Sequence, residues 1–272
     1  MESNSHGQNI LDRIVEARRD SIAHRKRVLP DVALKIATQK VDPPRDFPGA
    51  LSRSGFNVIA ELKKASPSRG VIRADYAPAD LAPNLEAAGA AALSVLTEED
   101  FFSGSLADLK AARKAVQIPI LRKDFIIDPW QVWEARAAGA DSFLLITSIL
   151  TDEQLSELLE LGRTLKMEPL VEVHSREELG RAVAAGARII GVNNRDLRNF
   201  DVRLQTSLDL VDEIPDHCVA VSESGLRTHA DLVRLRSAGF DAFLIGESLM
   251  KQERPGKALA KLLEEAKTAV VG

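Results

Sequence analysis

The chain predicts a (β/α)8 TIM barrel with an N-terminal helical extension, and three observations carry the prediction. A helix-to-strand phrase recurs as Ala88-Gly89-Ala90, Ala138-Gly139-Ala140, Ala185-Gly186-Ala187 and, in variant form, Ala238-Gly239-Phe240, at a spacing of about 50 residues. Eight short runs rich in Val, Ile and Leu lack apolar/polar alternation, as expected of parallel strands covered outside by helices and packed inside against each other. Five of these runs stop on charged or amide side chains, which are costly at the end of a buried strand unless paired or put to use.

In chain order, residues 1–47 read as the extension and 48–272 as the barrel, together one structural domain. The polar stretch Met1 to Asn9 is expected to be mobile. An amphipathic helix follows with Leu11, Ile14, Val15 and Ile22 on its apolar side, and its basic residues Arg18, Arg19, His24, Arg25, Lys26 and Arg27 read as a solvated face. Pro43-Pro44 through Pro48-Gly49 ends the extension. The strands read as Val58 to Lys63, Ala91 to Leu96, Ile120 to Lys123, Ser142 to Ile146, Pro169 to Val173, Ile189 to Asn193, Val219 to Glu223 and Ala242 to Gly246. Between them, Asp128-Pro129 offers an N-cap with Pro at the first helical position, and Thr151 with Gln154 and Ser175 with Glu178 read as capping boxes. Pro83 falls inside the helix after the first strand, where it removes a hydrogen bond. The Gly of each recurring phrase suits a left-handed helix C-cap. A doubly wound open sheet is the rival architecture; it is disfavoured because the repeat lands on eight strands and no Gly-rich dinucleotide turn follows the first.

Composition narrows the function classes. With 45% hydrophobic and 28% charged residues the chain is ordinary for a globular protein, and no apolar run approaches the roughly 20 residues that span a bilayer. The N-terminus does not read as a signal peptide, and a lone Cys218, a small core residue unable to form an internal disulfide, suits a reducing cytoplasm. A net charge of −4 argues against nucleic acid as a partner. His6, His24, His217 and His229 form no metal-ligand spacing.

In such a barrel the C-terminal strand ends build the active site. Glu61 and Lys63 share a side of the first strand, Lys123 ends the third, and Glu172, Asn193 and Glu223 close the fifth, sixth and seventh. Cations facing carboxylates hold protonated and ionised groups at adjacent pKa values, as acid/base chemistry requires. A phosphate cradle is the second clue: Ser224-Gly225 follows strand seven and Gly246-Glu247-Ser248 follows strand eight, supplemented by Ser66 and by Arg195 after strand six. Beside the cradle, the Glu247 side chain is expected to point away while its amide serves. Phe102, Phe125 and Leu145 offer an apolar wall for an aromatic group.

Seven segments, in order and spanning nearly the whole chain, resemble the indole-3-glycerol phosphate synthase family. They are Ile59-Ala60-Glu61-Leu62-Lys63-Lys64-Ala65-Ser66-Pro67-Ser68-Arg69-Gly70, Leu96-Thr97 through Phe101-Phe102-Ser103-Gly104-Ser105, Leu121 through Phe125, Leu170 through His174, Gly191 through Leu197, Ser222 through Gly225, and Phe243 through Met250. The resemblance implies a tryptophan-pathway lyase that closes 1-(2-carboxyphenylamino)-1-deoxyribulose 5-phosphate to an indole with loss of carbon dioxide and water. It implies no metal or organic cofactor, a small anionic substrate as partner, no membrane, and room for contact with other enzymes of the tryptophan pathway. In the family pattern Lys123 protonates the ketone, and Glu172 or Lys63 supplies the dehydration proton, Glu172 only if burial and neighbouring carboxylates raise its pKa. Glu61 acts as base or proton-handling partner and Glu223 orients, Asn193 and Ser224 hydrogen-bond hydroxyls, and Arg195 with the amides of Gly225 and Gly246 holds the anion.

Each reading has an alternative on the same residues. Glu61 and Lys63 also fit a structural ion pair, and Phe102 and Phe125 fit core positions. His174 shares strand parity with Glu172, yet reads as lying outside the strand beside the Ser175 cap. Another phosphate-binding barrel such as phosphoribosylanthranilate isomerase would be expected to place a Cys/Asp pair at strand ends. A non-catalytic sugar-phosphate barrel would need the cradle but not six costly polar side chains.

Overall fold

A computed structural model describes residues 9–196 and 200–271; the expected mobility of the N-terminal stretch therefore concerns residues outside those described, Asn9 excepted. Eight parallel strands close into a barrel: β1 (Asn57–Leu62), β2 (Ala92–Leu96), β3 (Ile120–Lys123), β4 (Ser142–Ile146), β5 (Leu170–Val173), β6 (Ile189–Asn193), β7 (Val219–Glu223) and β8 (Ala242–Ile245), with β1 pairing both β2 and β8. Each differs from the sequence expectation by at most one residue at an end. All four recurring Gly residues adopt positive φ, Gly239 at 118° as a helix C-cap, because only Gly enters that region without a Cβ penalty.

Alternation along the strands sorts their side chains into two sets. Val58, Ala60, Leu62, Leu93, Val95, Leu145, Val171, Val173, Ile190, Val192, Phe243 and Ile245 pack outward against the helices. Ile59, Ala92, Leu121, Leu144, Ile146, Leu170, Ile189, Val221, Ala242 and Leu244 fill the barrel. The expected polar residues continue the second set by even steps: Glu61 and Lys63 from Ile59, Lys123 from Leu121, Glu172 from Leu170, Asn193 from Ile189, and Glu223 from Val221. One parity thus makes apolar layers lower in the barrel and a polar layer at the mouth.

The extension straps one flank of the barrel. Helix α1 (Ile10–Val28) is capped by Asn9, which accepts the Asp12 amide, and sends Ile14 into the cluster that fills the barrel, alongside Phe101, Phe102 and Phe125. Helix α2 (Asp31–Thr38) lies with α1 against the later helix α6 (Pro129–Ala137), where Ile22, Leu34 and Trp130 form a small core. Helix α3 (Phe47–Leu51) then buries Phe47 and Leu51 among the residues that start the strands, and Asn57 donates to the Leu51, Arg53 and Asp241 carbonyls. It closes the end opposite the mouth.

The basic face of α1 departs from expectation. Arg19, His24 and Arg27 are exposed, but Arg18 is buried and bonds Asp124 at 2.9 Å, Lys26 bonds Asp128 at 2.7 Å, and Arg25 pairs with Glu134 while lying over the Trp130 ring. A guanidinium at a helix–barrel contact finds its counter-ion in tertiary structure, which helical periodicity alone does not reveal. Behind Asp124 stands Arg122, fully buried, which donates to Asp124, Glu134, Thr97 and the Gln131 carbonyl.

The remaining helices are α4 (Pro78–Ala87), α5 (Leu106–Ala115), α7 (Asp152–Thr164), α8 (Arg176–Ala184), α9 (Gln205–Leu210), α10 (His229–Ala238), α11 (Glu247–Met250) and α12 (Pro255–Val271). Pro83 sits half-buried inside α4. The Thr151 capping box forms as expected. At α8 only half of the expected box forms: Ser175 accepts the Glu178 amide, whereas the Glu178 carboxylate accepts the His174 amide, one residue before the cap. Cys218 is buried just before β7, and its thiol donates to the Ala187 carbonyl. Among the described residues no helix is long and apolar enough to cross a membrane.

Candidate active site

The inward polar side chains meet in a cavity of about 550 Å³ at the mouth. Lys123 Nζ lies 2.8 Å from Glu172 Oε2 and 2.6 Å from Glu223 Oε2, so one ammonium bridges carboxylates from two strands. Asn193 donates to Glu172 Oε1 at 3.0 Å and uses its own Oδ1 to accept the Arg195 amide. Lys63 pairs with Glu61 through Nζ and Oε2, giving a second ammonium–carboxylate unit within the same cavity.

Two glycines make room for these carboxylates. Gly191 faces inward between Glu172 and Val221 in the strand register, and a Cβ there would collide with Glu223 Oε1; a Cβ at Gly246 would collide with Glu61 Oε2. Absence of a side chain is therefore a positional requirement. Gly191→Ala is expected to push the Glu223 carboxylate off Lys123 and lower kcat about 10²-fold while the protein stays folded, because small misplacements of reacting groups are costly. A kcat within twofold of wild type in a steady-state assay would show that Glu223 needs no such seat.

Burial and charge set the protonation states. Burial works against the Lys123 ammonium, but Glu172, Glu223 and Glu61 outweigh it and hold its pKa well above the ordinary lysine value. For Glu172, burial favours the neutral form, and Lys123 together with His174 overcomes it and keeps the carboxyl well below the usual range. Glu223 is pushed up to about 7, by burial first and then by the neighbouring Glu172 charge, with Lys123 opposing. The asymmetry has a visible cause: Glu172 receives Lys123, Asn193 and His174, whereas Glu223 Oε1 is buried with no partner. Of the two carboxyls, Glu223 is therefore the one that takes up a proton first as pH falls.

Glu172 is thus ionised, contrary to the raised pKa its role as dehydration acid requires. The cause includes His174, which lies outside the strand beside the Ser175 cap as expected and yet reaches Glu172 with its side chain. Although β5 ends at Val173, the imidazole turns back to the mouth, with Nε2 3.3 Å from Glu172 Oε1 and Nδ1 3.2 Å from Glu178 Oε2. Burial lowers the His174 pKa, and the two carboxylates more than reverse this, raising it to about 10. Sequence parity with Glu172 was the signal available for this residue.

The apolar wall is formed partly as expected. Phe102 and Phe125 line the cavity with ring centroids 5.9 Å apart and planes tilted by 39°. Leu145 is displaced from this role: it faces outward in the helix-packed core, while its neighbours Leu144 and Ile146 line the cavity. An inward-facing strand end at Ile146 forces Leu145 to the other side. Glu98 was missed entirely; its buried carboxylate accepts the amides of Asp100, Phe101 and Phe102 and so fixes the loop that presents Phe102.

The opposite corner gathers the cradle residues. Ser224 and Gly225 have successive positive φ values of 65° and 82°, and a Cβ on Gly225 would lie 2.6 Å from Val202 Cγ1. Ser66 belongs to a two-strand hairpin, Ala65–Ser66 with Gly70–Val71, and its Oγ is buried without a partner. Arg195 reaches this corner after β6. Glu247 does not point away as expected: its carboxylate turns into the corner and meets Arg195, Arg69 and Lys251.

Comparison with known proteins agrees with this picture. A family model described as indole-3-glycerol phosphate synthase matches residues 11–262. An indole-3-glycerol phosphate synthase of Acidithiobacillus ferrooxidans is 46% identical over 258 residues, covering 93% of this chain and 98% of that one. One from Chloroherpeton thalassium is 50% identical over 248 residues, covering 90% and 95%. Among solved structures, a thiamine phosphate pyrophosphorylase from Pyrococcus furiosus superimposes with TM-score 0.59 at 17% identity, covering 82% of this chain and 99% of that one, a likeness of fold alone.

Proposed function

The chain belongs to the indole-3-glycerol phosphate synthase family and is a carbon–carbon lyase of tryptophan biosynthesis, and on that premise we propose how its inward polar residues divide the reaction. The substrate is 1-(2-carboxyphenylamino)-1-deoxyribulose 5-phosphate. Its aromatic ring lies against Phe102 and Phe125, Asn193 and Ser224 hydrogen-bond its hydroxyls, and its phosphate occupies the corner of Ser66, Arg195, Gly225 and Gly246. The buried, unpartnered Ser66 Oγ supports that placement.

Ring closure joins the carboxyl-bearing aromatic carbon to the ketone carbon while the ketone oxygen takes a proton. Lys123 gives it; the observation that carries this role is its place between Glu172 and Glu223, which keeps the ammonium charged until substrate arrives and re-pairs it afterwards. Carbon dioxide then leaves, and the electrons of the broken carbon–carbon bond restore the aromatic ring, with the phenylalanine wall limiting water. In the last step the hydroxyl departs as water and the adjacent carbon loses a proton. An ionised Glu172 has no proton to give, so Lys63 serves as the acid and its ion-pair partner Glu61 as the base. Glu172 and Glu223 stabilise the cationic character that develops during dehydration, and Glu223, the carboxyl of the pair with the raised pKa, returns a proton to Lys123.

The direct test is the appearance of indole fluorescence when purified protein meets the carboxyphenylamino-deoxyribulose phosphate. Turnover is expected. Saturable binding of that compound without product would instead fit a barrel that holds sugar phosphates and does no chemistry.

A further inference from the structure

Resting on the phosphate placement above, we propose that Glu247 is an internal competitor for the substrate's phosphate, a carboxylate that must be displaced from Arg195 and Arg69 for the anion to bind. Glu247 Oε2 lies 3.3 Å from Arg195 Nη2, and Oε1 lies 3.4 Å from Arg69 Nε and 2.6 Å from Lys251 Nζ. The three cations come from three separate segments: the hairpin after β1, the segment after β6, and the C-cap of α11. All three line the cavity, as do Ser66, Gly225 and Gly246.

The same residue thus plays opposite parts with its two ends. Its backbone follows Gly246 in the cradle, while its side chain places a negative charge where a dianion is to sit. Anion and carboxylate cannot share the arginines without repulsion in a partly enclosed site. The geometry also supplies a place to retreat. Lys251 caps α11 one turn on, four residues after Glu247, and makes the shortest of the three contacts, so Glu247 can release both arginines and keep one partner. Phosphate alone must do the whole work of displacement, whereas the full substrate brings ring and hydroxyl contacts to help. The carboxylate therefore selects against free phosphate and eases release of phosphorylated product.

Titration calorimetry with inorganic phosphate at fixed ionic strength tests this on wild type, Glu247→Gln and Arg195→Ala. Glu247→Gln keeps the volume and removes the charge; it is expected to bind phosphate at least about 3-fold more tightly, the scale of a partly exposed ion pair. KM for the substrate should fall with it, and kcat should not rise. Equal or weaker phosphate binding by Glu247→Gln would overturn the proposal and make the carboxylate a holder of the arginines. Arg195→Ala separates the underlying placement: weakened phosphate binding is expected, and unchanged binding would remove the phosphate from this corner and the competitor role with it.

Discussion

Lys123→Met is expected to lower kcat by about 10²- to 10⁴-fold while leaving binding of the phosphorylated substrate largely intact. Methionine fills similar volume with no proton and no charge, so two things change together. The ketone loses its donor, and Glu172 and Glu223 face each other without the ammonium that now lies 2.8 Å and 2.6 Å from them. Glu172 keeps Asn193 and His174, so the loss of the ammonium raises the proton affinity of the pair, chiefly at Glu223. The phosphate corner is built from other segments and should bind as before. Single-turnover fluorescence at saturating substrate, paired with a binding titration, separates the two quantities. A kcat within a fewfold of wild type would end the proton-donor assignment; lost binding with preserved kcat would turn Lys123 into an anion contact.

How much of this site could be read from the chain depended on whether its cause was local. The strands were legible because both of their faces are buried, so each is an uninterrupted apolar run, and a shared parity carried the side chains at their ends to one place. Leu145 shows the limit of the same rule: its identity suits a wall, but only the register of Ile146 with Glu172 shows which way it points. The hairpin at Ala65–Ser66 and Gly70–Val71 was invisible because two-residue strands carry no periodicity. Protonation was out of reach for another reason. Glu172 and Glu223 are the same residue type at equivalent strand ends, and what separates them is two donors and an imidazole ion-pair contact on one and a partnerless oxygen on the other. His174 and Glu247 were both visible as oddities in sequence, and in both cases the side chain turned toward the site that local reasoning assigned it away from.

The docking of α1 is the clearest case of a long-range cause, and it carries the second large effect. Arg18 and Arg122 are both buried and both donate to Asp124 Oδ2, at 2.9 Å and 3.0 Å, with Thr97 Oγ1 adding a third bond at 2.6 Å and the Phe125 amide held by Oδ1. Burial raises the Asp124 pKa, but the two guanidiniums overcome it and keep the carboxyl below its ordinary value, so its charge is present whenever the protein is folded near neutral pH. By linkage, that contribution is present above the unfolded aspartate pKa and is lost as pH falls through the folded one. Asp124→Asn removes the charge without changing the shape. Arg122 retains Glu134, but Arg18 is left buried with no other ion-pair partner among the described residues, and the variant is expected to lose about 3 kcal/mol of stability. Adding Arg18→Met should restore part of that loss, since the uncompensated guanidinium is then gone; the two substitutions should be clearly non-additive. Denaturant midpoints of wild type, both single variants and the double variant measure the coupling. A loss under about 1 kcal/mol for Asp124→Asn is the size of a surface ion pair, and together with additive behaviour it would mean that α1 is held by Ile14, Ile22 and Trp130 rather than by the buried charges.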